Sequence, residues 1–207
     1  MGPGVILRSG LKEVGSVDAK GLLQFQMNGS FKLLTEIAAG ASDAEWEARP
    51  FPGANMVGFT AWHCARIIDW AVNCVMRGAP ELADQAEWQD VRVADAMFGA
   101  GASREAADGV ARDVPRMRVL AYIDALRQGV VTWLAAVPND DLSGAVDLKA
   151  RHLAKPEYMA PDVWAELEDL DGIPGWQFLA RPSIAHIRVH YGEMSTQLEE
   201  LRAAAPA

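Results

Sequence analysis

From Val17 to Ala39, apolar residues recur at intervals of three and four, among them Leu23, Met27, Phe31, Leu34 and Ile37. That spacing predicts a helix with one buried face. Asn28-Gly29 weakens its middle, and Gly40 sits where a helix stops. Ser42-Asp43-Ala44-Glu45 has the form of a capping box opening a short turn, and Pro50, Pro52 and Gly53 then break the chain. Met56 to Arg77 is the most apolar stretch, without Pro and with Gly58 as its one glycine, and it predicts a long buried helix ended by Gly78-Ala79-Pro80. A shorter helix is expected over Glu81 to Phe98, and another from Ser103, as cap, to about Arg112. Pro115 suits the start of a long helix to Ala136, with Leu120, Ile123, Leu126, Val130 and Leu134 on one stripe.

Residues 142–177 are the least regular part, punctuated by Gly144, Pro156, Pro161, Gly172, Pro174 and Gly175, with one short helix expected from Pro161 to Leu170. Pro182 to Ala203 reads as the last long helix, and residues 1–16, Gly-rich and without a period, as a loosely attached extension. No stretch alternates like a strand and no repeat is visible. The expectation is one all-α domain over residues 1–207. Four long helices form a bundle, with an irregular cap over 142–177 before the last of them.

Composition narrows the function. Lys and Arg number 19 against 28 Asp and Glu, a net charge of −9, so phosphate backbones and anionic membrane surfaces are poor partners. No run approaches the length of a membrane span, and the N-terminus lacks the form of a secretory signal. The two cysteines, Cys64 and Cys74, fall on one predicted helix roughly 15 Å apart along its axis, too far to pair with each other. A reducing, cytoplasmic setting follows as the expectation.

Chemistry concentrates in the histidines, of which there are four. His186 and His190 stand at i and i+4 on the last helix, so both rings leave one face, one turn apart. That spacing serves two imidazole ligands of a transition metal, or two histidines that merely hydrogen-bond. His63 shares an apolar stripe with Phe59, Ile67, Trp70 and Cys74 and should point into the bundle. A buried imidazole needs a partner, and three converging imidazoles find one in a metal. His152, beside Arg151 and Lys155, is expected in a solvated loop. Arg66 and Asp69 are expected to form an ion pair on the helix surface.

These residues fall within recognisable strings. One helix reads Met-Val-Gly-Phe-Thr-Ala-Trp62-His63-Cys-Ala-Arg66-Ile-Ile-Asp69-Trp70, and the last reads Ala-His186-Ile-Arg-Val-His190-Tyr191-Gly192-Glu193-Met. With the lead-in from Ser42 to Trp46 and Pro-Phe-Pro-Gly, the chain resembles the DinB-like superfamily of four-helix bundles. That group includes thiol-dependent S-transferases, mycothiol-dependent maleylpyruvate isomerases and the N-terminal domain of ergothioneine-forming sulfoxide synthases. The resemblance implies an up-up-down-down bundle, a divalent metal on His63, His186 and His190, and a homodimer.

Three neutral histidines leave an open position on a divalent metal, zinc first and nickel or iron otherwise. Such a metal activates water or holds a low-molecular-weight thiol as its thiolate. Glu193, one turn beyond His190, is a candidate partner of that histidine or proton acceptor, or else a solvated helix residue. Trp164 and Trp176, in the irregular segment, are candidates to line a small-molecule pocket. The leading expectation is an enzyme that transfers a thiol to an electrophilic small molecule. A metal-dependent hydrolase and a non-catalytic metal-binding or stress-response bundle are the alternatives. The Glu that follows the first His in zincin proteases is missing from His186-Ile-Arg-Val-His190, and no nucleophile elbow, phosphate loop or dinucleotide fingerprint is present.

Overall fold

The computed structural model describes residues 18–204, so the extension expected over 1–16 lies outside them. The regular elements among these residues are all helical. In α1 (Ala19–Gly40) the Asp18 carboxylate caps the first turn, accepting the Gly21 amide at 2.6 Å. In α2 (Asp43–Trp46) the capping box is complete: Ser42 Oγ accepts the Glu45 amide at 3.2 Å, and Glu45 Oε2 accepts the Ser42 amide at 2.7 Å. Then come α3 (Val57–Asp69), which widens into a π-helical segment at Trp70–Met76, α4 (Arg104–Asp113) and α5 (Arg116–Ala136).

The centre of the packing is α3, which lies against α1, α4, α5 and the last helix, α10 (His186–Ala204). Every residue from Val57 to Trp70 is buried. A helix enclosed on all sides is apolar all round, which is why this stretch is the most hydrophobic in the chain. The long α1 completes the frame against α5 and α10. No helix among the described residues is long and apolar enough to cross a membrane.

Three expectations are corrected. First, Glu81 to Phe98 is not a helix but short 3-10 turns at Leu82–Asp84, Ala86–Trp88 and Ala94–Ala96. Both Asp69 carboxylate oxygens reach out of α3 to take the Leu82 and Ala83 amides at 2.9 and 3.0 Å, and Trp62 Nε1 donates to the Val91 carbonyl at 2.7 Å. Side chains of α3 thus tie this segment down at its start and again at Val91.

Second, the segment 142–177 is folded rather than irregular. It contains α7 (Leu148–Ala154), α8 (Pro161–Leu167) and the start of α9 (Gly175–Ala180), preceded by α6 (Asn139–Ser143). Its two ends are tied by the Val146 amide to the Ile173 carbonyl, 2.9 Å, and by the Gly175 amide to the Gly144 carbonyl, 2.9 Å.

Third, the last helical run does not begin at Pro182. It begins at Gly175, and Arg181–Ala185 is a π-helical turn that carries Pro182 and joins α9 to α10. Proline lacks the amide an α-helix needs and crowds the preceding turn, and local π-widening is a known way to absorb it.

Candidate metal centre

Two segments supply the three histidines. His63 projects from the middle of α3, and His186 and His190 occupy the first two turns of α10, just past the π-turn. The structure brings them together: their ring centroids lie 5.0 Å (His63 to His186), 5.4 Å (His63 to His190) and 4.4 Å (His186 to His190) apart. One nitrogen from each ring falls within 4.8 Å of the other two, a grouping that could hold a metal ion.

The hydrogen bonds fix which nitrogens face inward. His63 Nδ1 is 2.6 Å from the Phe98 carbonyl oxygen, which can only accept, so Nδ1 carries the proton and Nε2 presents a lone pair. His190 Nδ1 is 2.7 Å from Glu193 Oε2. That contact holds the Glu193 carboxyl below the usual range, so the carboxylate accepts, His190 Nδ1 donates, and its Nε2 is likewise free. Histidines that ligate metals characteristically give their other N–H to a backbone carbonyl or a carboxylate, and both arrangements occur here. His63 Nε2 and His186 Nε2 are 3.0 Å apart. Ligand nitrogens about 2.0–2.1 Å from one metal, at angles of about 90–109°, stand about 2.9–3.4 Å apart, so the observed spacing fits a shared ion.

Burial keeps His63 and His186 neutral. It pushes His63 down to about 4 against the opposing pull of the Phe98 carbonyl, and pushes His186 down to about 3 with help from the two neighbouring rings. In the metal-free protein the unfolded chain therefore takes up these two protons near pH 6.5, while the folded chain takes them up only near pH 4 and 3. Between those limits the unfolded state binds more protons, so stability present above pH 6.5 is lost as the pH falls. The melting temperature of chelator-treated protein should drop from pH 7 to pH 4, and a His63→Leu variant should show a shallower drop.

Of the groups that support the rings, the sequence pointed to Glu193 but not to the backbone beside His63. The break at Gly99 to Gly101 is where the backbone turns to meet His63. Gly99 has φ +102°, and a Cβ there would lie 2.5 Å from His63 Nδ1. Gly99→Ala should combine backbone strain of about 1–3 kcal/mol with displacement of the ring from the Phe98 carbonyl. Metal affinity, measured by competition with a chromophoric chelator, should fall about 10–100-fold, the range for loss of a ligand's outer partner.

Glu193 is tied on both sides, its Oε1 accepting from Gln197 Nε2 at 3.2 Å. Glu193→Gln keeps the shape and removes the charge. It should weaken metal binding by about tenfold, well short of the loss from removing a ligand, in the same chelator competition.

The remaining candidates fall elsewhere. His152 is not in a loop: it lies on α7, half-buried, and stacks on Trp164 at 4.3 Å between centroids, so the two residues hold each other. Trp176 is 41% exposed. Neither tryptophan lines the cavity that borders His186, whose aromatic walls are Trp70, Phe98 and Phe178. Cys64 is fully buried beside His63, and burial pushes its thiol up, which suits packing rather than reaction. Both cysteines are free.

Arg66 and Asp69 do not form a surface pair. They are 1% and 0% exposed, and Arg66 Nη1 sits 3.2 Å from Asp69 Oδ2 and 2.9 Å from Glu81 Oε2. Tyr158 accepts from Arg66 Nη2 at 2.9 Å, and Tyr122 donates to Asp69. The charges lie inside the fold because each has a partner of opposite sign.

A family model described as the DinB superfamily matches residues 26–167, more than half of the chain. The match includes His63 and stops before His186 and His190, so the convergence of the three rings is a finding of the geometry. No curated protein matches the chain.

Proposed function

The chain belongs to the DinB superfamily, and we propose that it is a metal-dependent enzyme joining a low-molecular-weight thiol to an electrophilic small molecule. His63, His186 and His190 would hold the divalent metal, zinc in first place, with nickel or iron as alternatives. The observation that carries this reading is the fixed tautomer of two of the rings: His63 and His190 each spend Nδ1–H on an acceptor of the protein, which leaves Nε2 as a ligand. Three neutral imidazoles leave coordination positions for an exogenous group. A metal there supplies the Lewis acidity that keeps a sulfur as thiolate at neutral pH.

The protein's own part is orientation. The Phe98 carbonyl and the Glu193 carboxylate hold two imidazoles in register, and Gln197 holds Glu193. In the transfer, the thiol sulfur forms the new C–S bond. The thiol proton ends on the adjacent carbon in an addition, or leaves with the displaced group in a substitution, so neither oxidant nor reductant is needed. Up-up-down-down helix order, a homodimer, a single domain and a cytoplasmic setting belong to the same proposal, on the strength of the family. So do a small-molecule substrate and the lack of a nucleic-acid or membrane partner, the last two on the strength of the net charge of −9.

The test is spectroscopic. Protein purified without chelator should carry about one metal per chain, and the Co²⁺-substituted form titrated with 2-mercaptoethanol should develop thiolate-to-cobalt charge-transfer absorption. Metal without a thiol response, together with ester hydrolysis, would move the assignment to a hydrolase. A chain that takes up no metal overturns both.

A further inference from the structure

The cavity bordering His186 has a volume of about 160 Å³. An apolar protein cavity of about 150 Å³ is large enough to take up benzene. The walls here match such a guest. Trp70, Phe98 and Phe178 are each 2% exposed or less, and Ile67 and Leu170 close the gaps between them. Trp70 stacks on Phe98 at 5.1 Å with an interplanar angle of 11°, and meets Phe178 edge-on at 6.0 Å and 65°. The aromatic residues are therefore braced against one another, and aromatic side chains are the surfaces to which a further aromatic ring packs well.

Formal charge is confined to Glu166 and Arg181, both solvent-exposed, and the Arg181 contact to Asp169 is loose at 3.4 Å. The inner wall is closed by His186, a member of the histidine cluster.

We infer that this cavity is a pocket for an apolar aromatic ring. If the metal reading holds, on which this second step rests, the electrophile carries its reactive carbon on or next to such a ring, held beside His186, and any charged substituent points toward Glu166 and Arg181. A charged ring would lose its hydration against aromatic walls.

Fluorobenzene is a suitable probe, followed by ¹⁹F NMR on the metal-free protein, so that the outcome does not depend on the metal centre. Saturable binding at one site per chain is expected. Leu167→Trp fills the cavity from its half-buried rim and should abolish fluorobenzene binding while metal uptake stays at the wild-type level. Ala100→Leu fills it from another wall and serves if the first variant does not fold. Absence of saturable binding, or binding unchanged in a folded filled variant, would overturn the pocket. Loss of the metal centre with fluorobenzene binding intact would overturn the proposed chemistry and leave the pocket standing.

Discussion

Replacing His63 with alanine should abolish metal binding. Three histidines converge among the described residues, and His63 is the one supplied by a separate helix. At 6% exposure it is the most enclosed of the three, stacked against Phe59 at 6.0 Å and pinned to the Phe98 carbonyl. Its loss leaves two ligands on one helix, and no other group of three such ligands lies among the described residues. Affinity should fall by more than the roughly 10–100-fold cost of disturbing a ligand's outer partner, and metal content after dialysis should be near zero. His186→Ala and His190→Ala should behave alike. His152→Ala is the contrast. It removes the stack on Trp164, worth about 0.5–1.5 kcal/mol, and should leave metal content untouched. Elemental analysis of the four variants decides the matter, and a His63→Ala protein with wild-type metal content would remove this site from consideration.

The parts of the structure legible in the sequence are those set by local pattern. The stripe Leu23, Met27, Phe31, Leu34 marks α1, the Ser42–Glu45 box marks α2, and the uninterrupted apolar run marks α3, because helical periodicity, capping and enclosure are written in consecutive residues. The histidine pair on α10 was legible for the same reason, and His63 from the stripe it shares with Phe59, Ile67 and Trp70. What was not legible depends on residues far apart in the chain. An Arg and an Asp three residues apart have the same pattern on a surface helix as in a core. Only Glu81, Tyr122 and Tyr158, brought in from three other segments, make the buried version tolerable. The segment expected as a helix over Glu81 to Phe98 is held against α3 by Asp69 and Trp62, contacts that no local window includes. The helix start misplaced at Pro182 reflects a backbone variant, the π-turn, that the usual proline rule does not anticipate.

Arg66 offers the largest expected effect on stability. Its guanidinium faces the carboxylates of Asp69 and Glu81 with all three side chains at 0–1% exposure. Removing one member of a buried ion cluster costs about 3–5 kcal/mol, because the remaining charge keeps its desolvation without its partner. Arg66→Met, which retains most of the apolar stem, should lower the urea-unfolding free energy by that amount.

The burden falls unequally. Asp69 still accepts the Asn73 side chain at 2.6 Å, the two backbone amides and the Tyr122 hydroxyl. Glu81 loses its counter-charge, and burial already pushes its carboxyl up. Adding Glu81→Gln to Arg66→Met should therefore restore a large part of the loss, whereas a cost arising from packing alone would not be relieved. The damage should also reach the histidines. Arg66 holds the Tyr158 hydroxyl, Tyr158 packs on Phe98 at 5.4 Å, and the Phe98 carbonyl holds His63 Nδ1. Metal affinity in Arg66→Met should accordingly fall, by less than in Gly99→Ala, where the obstruction touches the ring itself. A loss of stability under 1 kcal/mol, or no rescue by Glu81→Gln, would mean that the buried charges are not what anchors this part of the fold.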